Sequence, residues 1–180
     1  MKGSLHFAII VCLSFLLCGC PYSSPYGIDA VATQNIDEGL LGNWACLVNK
    51  PAPETQTKMD SVKICFSKYT DQEYAIVITG GIKEFRPFHC MEKDTIKATG
   101  YLSTIGQHQF LNAFVKGRIY IAEVKKVPGG ISILCLAERF TARFIKNSDQ
   151  LRGSLAFHYK VAITPAYDDF FVLRNLQKQY

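Results

Sequence analysis

Cys18 and Cys20 stand one residue apart at the end of an apolar run, Phe15-Leu16-Leu17-Cys18-Gly19-Cys20. Thiols placed this way can be acylated, oxidised to disulfides or used as metal ligands, and the surrounding residues discriminate among these fates. Metal ligation is disfavoured because the chain contains no Cys-x-x-Cys or His-x-x-x-His spacing. His89 and Cys90 are adjacent, so on a strand they would face opposite ways. His108 and His158 fall in a turn and on a helix, where surface or capping positions are expected. Catalytic patterns are equally sparse. No Gly-x-Ser-x-Gly elbow is present, and Ser132 and Gly153-Ser154 lack a His or Asp at a diagnostic distance. Phosphate-cradling and dinucleotide-binding glycine motifs are absent as well. Glu84, Glu92, Asp94 and Glu123 could pair as acid and base, but on a small β domain such carboxylates more often form a solvated face. The expectation is a protein with no catalytic residue, no metal and no cofactor.

The fate of the first cysteines follows from the leader. Met1-Lys2 supplies a positive start, and Leu5 to Leu17 is apolar apart from His6 and Ser14. That run is shorter than the ~20 residues a membrane-spanning helix needs, and residues 1–19 therefore read as a secretory signal. Leu17-Cys18-Gly19-Cys20 resembles a bacterial lipobox: Leu, a small residue, Gly or Ala, then Cys. The resemblance implies that Cys20 becomes the lipid-bearing first residue of the mature protein, while Cys12 and Cys18 leave with the signal. A diacyl anchor holds a protein on a membrane far better than the single chain that gives only marginal binding. Pro21, rather than Asp, follows Cys20, which points to the periplasmic face of the outer membrane over the inner membrane. Residues 20–38, rich in Pro, Tyr, Ser, Gly, Ala, Thr and Gln without a strong period, read as a flexible tether.

Cys46, Cys65, Cys90 and Cys135 then remain, an even number with three connectivities, as suits an oxidising compartment. A hairpin centred near Thr55-Gln56 would set Cys46 opposite Cys65, at the ~5.5 Å separation of paired strands that a disulfide can bridge. Cys90 and Cys135 are the remaining pair, with free buried thiols as the alternative.

Composition sets the class of the rest. With 48% hydrophobic and only 19% charged residues, the chain can bury a core and is not a disordered or polybasic segment. Its net charge is +5, yet no Lys/Arg cluster exceeds a pair such as Lys125-Lys126, so nucleic acid is not an expected partner. From residue 39 to 180 the pattern is one of short strands. Gly42–Val48, Val62–Tyr69, Tyr74–Thr79, Lys83–Cys90, Thr95–Ser103, Gln109–Val115, Ile119–Val127 and Ile131–Ala137 are separated by Gly-, Pro- and Asp-containing turns. Alternation puts Val62, Ile64 and Phe66 on one face, and likewise Tyr74, Ile76 and Ile78. A helix begins after Asn147, with Gln150 three residues on and Leu151, Leu155 and Tyr159 along one side. A last strand spans Phe170 to Leu176, with Phe171, Leu173 and Asn175 on one face. Connections this short exclude crossover helices. The expected fold is mainly β: an antiparallel up-and-down barrel of about eight strands, with one helix and a closing strand near the C-terminus.

Leu40-Leu41-Gly42-Asn43-Trp44 resembles the Gly-x-Trp entrance of lipocalins and related calycins. In that family the Trp plugs one end of the barrel and a basic residue near the last strand lies across it. The matching positions are Gly42, Trp44 and Arg174. The Thr-Asp-Tyr-like middle motif of lipocalins is absent. The chain is also similar to small bacterial lipoproteins that begin L-x-G-x-W after their tether and end with a helix and a short strand, a likeness that implies fold and address but no activity. Two functional classes follow. One is a membrane-tethered binding module for a small apolar ligand or an envelope protein, with Phe85, Phe88, Phe110, Phe114, Phe140 and Phe144 as a candidate lining. The other is a structural or assembly factor with a side-chain-filled barrel, and a hydrolase resting on the carboxylates is a minor third. A cavity of ~300 Å³ or more would favour the ligand carrier.

Overall fold

The computed structural model describes residues 23–49, 59–80, 95–136, 145–161 and 167–180, with the side chains of 48, 49, 59, 60 and 168–171 excepted. Cys20, Cys90, the segment 83–90, Phe85, Phe88, Phe140 and Phe144 lie outside those residues. The described residues form nine strands: β1 (Ser23–Ser24), β2 (Gly42–Asn49), β3 (Met59–Lys68), β4 (Tyr74–Thr79), β5 (Thr95–Ile105), β6 (His108–Val115), β7 (Arg118–Val127), β8 (Gly130–Leu136) and β9 (Tyr167–Gln179). A 3-10 turn, Glu38–Leu40, precedes β2, and helix α1, Ser148–Lys160, lies between β8 and β9.

Strands β2 to β9 each pair antiparallel with the next, and β9 returns to β2, so eight strands close an up-and-down ring. β4 pairs directly with β5, and the ring closes without the expected strand over Lys83–Cys90. Closure removes the free edges that an open sheet would leave available for aggregation. β1 is bonded outside the ring, through Ser23 opposite Tyr120 and Ser24 opposite Ile119.

Alternation along the strands produces two apolar regions. Ile64, Phe66, Ile76, Ile96, Leu111, Val124, Ile133 and Leu173 belong to the cluster inside the ring. Ile28, Ile105, Phe110, Ile121, Leu136, Leu151 and Leu155 form the second, on the outer wall beneath α1. Asn147 caps α1 by accepting the Gln150 amide at 2.9 Å, while Gln150 accepts the Lys146 amide at 2.8 Å. Thirteen residues make a marginal helix in isolation. Burying Leu151 and Leu155 stabilises it by ~1.5–3 kcal/mol per side chain.

The two ends of the barrel differ. One receives the short turns β3–β4, β5–β6 and β7–β8 and is covered by Leu40, Trp44 and the C-terminal end of β9. This is the plugged end. At the other, the connections β2–β3, β4–β5 and β8–α1 leave the ring, together with the two-residue β6–β7 turn at Lys116-Gly117.

Residues 23–38, read from composition as part of the tether, are laid along the barrel instead, in a strap that continues to Leu40. Starting at β1, the strap crosses the outer wall, where the Ile28 amide donates to Asn112 Oδ1 at 2.7 Å and Tyr101 hydroxyl donates to the Asp29 carbonyl. Arg152 of α1 clamps it by donating to Asp29 Oδ1 and to the Thr104 carbonyl. Gly27 passes so close to the Tyr101 hydroxyl that a Cβ there would overlap it. The strap then reaches the plugged end, where the Asp37 amide donates to Tyr74 Oη at 2.5 Å and Lys126 pairs with Asp37 at 2.7 Å. Apolar residues interleaved in a polar segment, Ile28 and Leu40 above all, explain the docking, since each is 1% exposed.

Candidate functional site: the barrel interior and the Glu123 cluster

Gly42 and Trp44 meet at the plugged end. Gly42 has φ +114°, and its missing side chain leaves room for the stem of Lys178, whose Cε would lie 3.1 Å from a Cβ. Trp44 is 5% exposed, and its indole Nε1–H donates to the Leu40 carbonyl at 2.8 Å. The cation over its ring is the Lys178 ammonium, 5.5 Å from the centroid. Arg174, the residue matched by the calycin resemblance, is exposed on the outer surface. Its neighbour Leu173 faces inward, so alternation turns Arg174 outward, and a β-bulge in β9 then brings Lys178 to the inner face. Ile131 pairs with Leu176 but Ile133 pairs with Leu173, so β9 contains one extra residue. Asn175 takes up the irregularity at φ +53°, its amide donating to Ser132 Oγ at 3.2 Å. Arg174 and Asn175 both face outward, Leu173 and Leu176 both face inward, and Lys178 regains the inner face opposite Trp44.

The cysteines do not pair as the hairpin argument expected. Cys46 stands opposite Val62, and Cys65 opposite Asn43. Cys46 is buried with the interior set, whereas Cys65 lies between the inward Ile64 and Phe66 and so faces out. The register is shifted by three residues from the one that pairing needs, and that odd offset sends the two thiols to opposite faces. No disulfide joins described residues; Cys135 is buried inside the ring. Burial pushes the Cys46 thiol up to about 11. In native protein, iodoacetamide is therefore expected to modify Cys65 readily and Cys46 only on unfolding, as peptide mass mapping would show.

Inside the ring, Ile78, Ala98, Ala113, Tyr120, Ala122 and Cys135 help to line an apolar cavity of about 40 Å³ away from the Trp44 plug. This is well under the ~300 Å³ of a typical small-molecule site. Phe110 and Phe114 of the expected aromatic lining point the other way. Phe110 packs under α1, and Phe114 meets Tyr101 at a centroid distance of 5.7 Å. The inward positions of β6 are Leu111, Ala113 and Val115.

A polar cluster on the outer wall is the second feature. Glu123 is 1% exposed, although the sequence suggested a solvated face. His108 Nδ1 lies 2.9 Å from Oε1, and the Tyr159 and Tyr167 hydroxyls both donate to Oε2, the former at 3.0 Å. Lys125 Nζ is 3.4 Å from Oε2 and 5.4 Å from the Tyr167 ring centroid, and His108 stacks on Tyr159 at 3.7 Å. Burial opposes ionisation of Glu123, but the hydrogen bonds from Tyr167 and His108, the Lys125 charge and the Tyr159 hydroxyl outweigh it and hold the carboxyl below its ordinary value. Burial, reinforced by the neighbouring carboxylate, raises both phenols. An open cleft of about 430 Å³, lined by Gln107, His108, Gln109, Val124, Lys125 and Lys126, adjoins the carboxylate. With both carboxylate oxygens occupied by protein donors, the cluster's evident work is mechanical: it ties β6, β7, α1 and β9 together.

Strand parity marks Glu123 as outward in sequence. What hid its burial is that Tyr159, one turn past Leu155, carries the helix over it. Among the described residues, no group of three or more His, Cys, Asp or Glu is arranged to hold a metal ion. Compared with known proteins, the chain matches no family model, and neither the curated proteins nor the solved structures offer a significant match.

Proposed function

We propose that the protein is a lipid-anchored, non-catalytic binding module of the bacterial envelope, whose packed barrel is a scaffold for contacts with an envelope partner. The observation that carries this reading is the cavity of about 40 Å³ inside the ring among the described residues, which favours recognition on the outer surface over storage of a lipid. The engagement of both Glu123 oxygens by protein donors supports the non-catalytic part. The anchor rests on Leu17-Cys18-Gly19-Cys20, and the outer membrane on Pro21. Among the described residues no helix is long and apolar enough to cross a membrane, a fact neutral for a lipid-anchored protein.

A ligand carrier is the second reading, favoured by the wholly apolar character of the cavity and its position away from the plug. Native mass spectrometry of protein released from its membrane separates the two. The scaffold reading expects the bare polypeptide mass; a stoichiometric small molecule that survives purification would overturn it. Cys20→Ser is expected to abolish acylation and move the protein to the soluble fraction, whereas Cys18→Ser leaves both unchanged. Lipid labelling of the Cys20→Ser protein would refute the anchor.

A further inference from the structure

We infer that the barrel engages its envelope partner through the outer wall of β2, β3 and β4, and that the partner offers an extended segment carrying acidic side chains. The wall takes this role only if the protein is the scaffold proposed above. The two halves of the outer wall differ. Over β5 to β8 the strap and α1 seal it, with Ile28, Leu151 and Leu155 buried against Ile105, Phe110 and Ile121. On β2, β3 and β4 the outward positions are exposed or half-buried, and none belongs to either apolar cluster. Leu47, on this wall, is 64% exposed.

The ladder aligns the outward positions into rows that cross the strands. Asn43, Cys65, Val77 and Lys97 stand side by side on β2 to β5, and Ala45, Lys63 and Thr79 form the next row. Short side chains between long ones leave a groove of about 380 Å³, lined in part by Asn43, Lys63, Cys65, Val77, Thr79 and Gln179. Its charge has one sign. Lys63 and Lys97 are exposed, and neither is ion-paired among the described residues. The described outward positions of β2, β3 and β4 include no acidic side chain. At the plugged end, by contrast, Lys68 pairs with Asp71, Lys125 with Glu123 and Lys126 with Asp37. Lys63 and Lys97 are two strands and two residues apart, roughly 12 Å along the wall. Carboxylates four residues apart on one face of an extended chain are separated by ~13 Å. One such segment can therefore meet both lysines while passing over Val77 and Thr79 and beside Cys65, where Asn43 and Gln179 offer amides to its backbone. A lipid surface is the poorer match, because two lysines fall short of the roughly four to eight basic residues that bind anionic headgroups.

The test titrates the acylated full-length protein, in nonionic detergent, with a peptide of alternating glutamate and valine bearing an uncharged dye. The counterpart of alternating lysine and valine is the control. Fluorescence anisotropy is expected to show saturable binding of the acidic peptide alone. Lys63→Gln with Lys97→Gln should weaken it about tenfold. Arg118→Gln with Lys146→Gln, which removes equal charge from outside this wall, should leave it unchanged. The bound peptide should also slow iodoacetamide modification of Cys65, read by peptide mass mapping. The inference is overturned by absence of binding, by binding indifferent to the Lys63 and Lys97 substitutions, or by a bound peptide that leaves Cys65 fully reactive. Protection of Cys65 by phosphatidylglycerol vesicles in place of the peptide would put lipid on the wall and overturn it as well. Native mass is read on the same samples. A stoichiometric small molecule overturns the scaffold reading and the docking wall together, whereas its absence combined with no peptide binding overturns the docking wall alone.

Discussion

Trp44→Ala is expected to lower the free energy of unfolding by about 4 kcal/mol, the scale for removing a buried tryptophan. Its indole is 5% exposed, closes one end of the barrel and satisfies the Leu40 carbonyl through a 2.8 Å hydrogen bond. Alanine removes the packing, leaves that carbonyl without its donor and opens the plugged end where the strap enters β2. Trp44→Phe retains most of the packing but not the hydrogen bond, and should cost less than alanine by at least ~1 kcal/mol of retained packing. Companion variants identify which cation matters. Lys178→Met keeps the stem but removes the charge from the indole face and should cost about 0.5–1 kcal/mol. Arg174→Met, on the exposed surface, should stay within about 0.5 kcal/mol of wild type. Urea unfolding followed by circular dichroism measures all four, and an Arg174→Met loss larger than that of Lys178→Met would contradict the bulge in β9.

Glu123→Gln should be the second large effect, about 3 kcal/mol near neutral pH. Glutamine has similar size, but one of its two polar ends is a donor, and it would meet the donating hydroxyls of Tyr159 and Tyr167 or His108. The same site predicts an acid response. Because folding lowers the Glu123 pKa from its ordinary 4.5, the unfolded chain binds its proton at a higher pH than the native protein does. The stabilisation is complete above that ordinary value and is lost as pH falls through the lower, folded one. Wild type should therefore lose more stability than Glu123→Gln between about pH 5 and pH 3. Equal losses over that interval would mean that other carboxylates carry the acid response. Since Glu123 joins α1 and the start of β9 to the barrel wall, the loss should be accompanied by faster amide exchange in α1.

Period-two alternation made much of the barrel legible in the sequence. Val62, Ile64 and Phe66 of β3, and Tyr74 and Ile76 of β4, face the interior as their spacing requires. The Asn147 cap and the Leu151, Leu155, Tyr159 spacing likewise located α1 and its buried face. Parity errs wherever the register is set by a partner strand. A turn centred on Thr55-Gln56 makes Cys46 and Cys65 cross-strand neighbours, whereas the ladder follows the apolar faces of both strands. An odd shift of three residues is enough to reverse a side chain's face.

Closed-barrel architecture, strand parity and helix position follow from this sequence alone, because they depend on hydrophobic period and local caps that each segment carries within itself. The proposed bilayer address also rests there, in Leu17-Cys18-Gly19-Cys20. Tertiary structure decided the rest. Asn175 bulges because closure requires β9 to match β8 and β2 at once, and that single extra residue brings Lys178 over Trp44. Glu123 is buried because a helix more than twenty residues later lies over it, and residues 23–40 are held because Asn112, Tyr101 and Arg152 converge on them from three separate elements. These are long-range contacts, and no local pattern encodes a partner that reaches a residue only when the ring has closed.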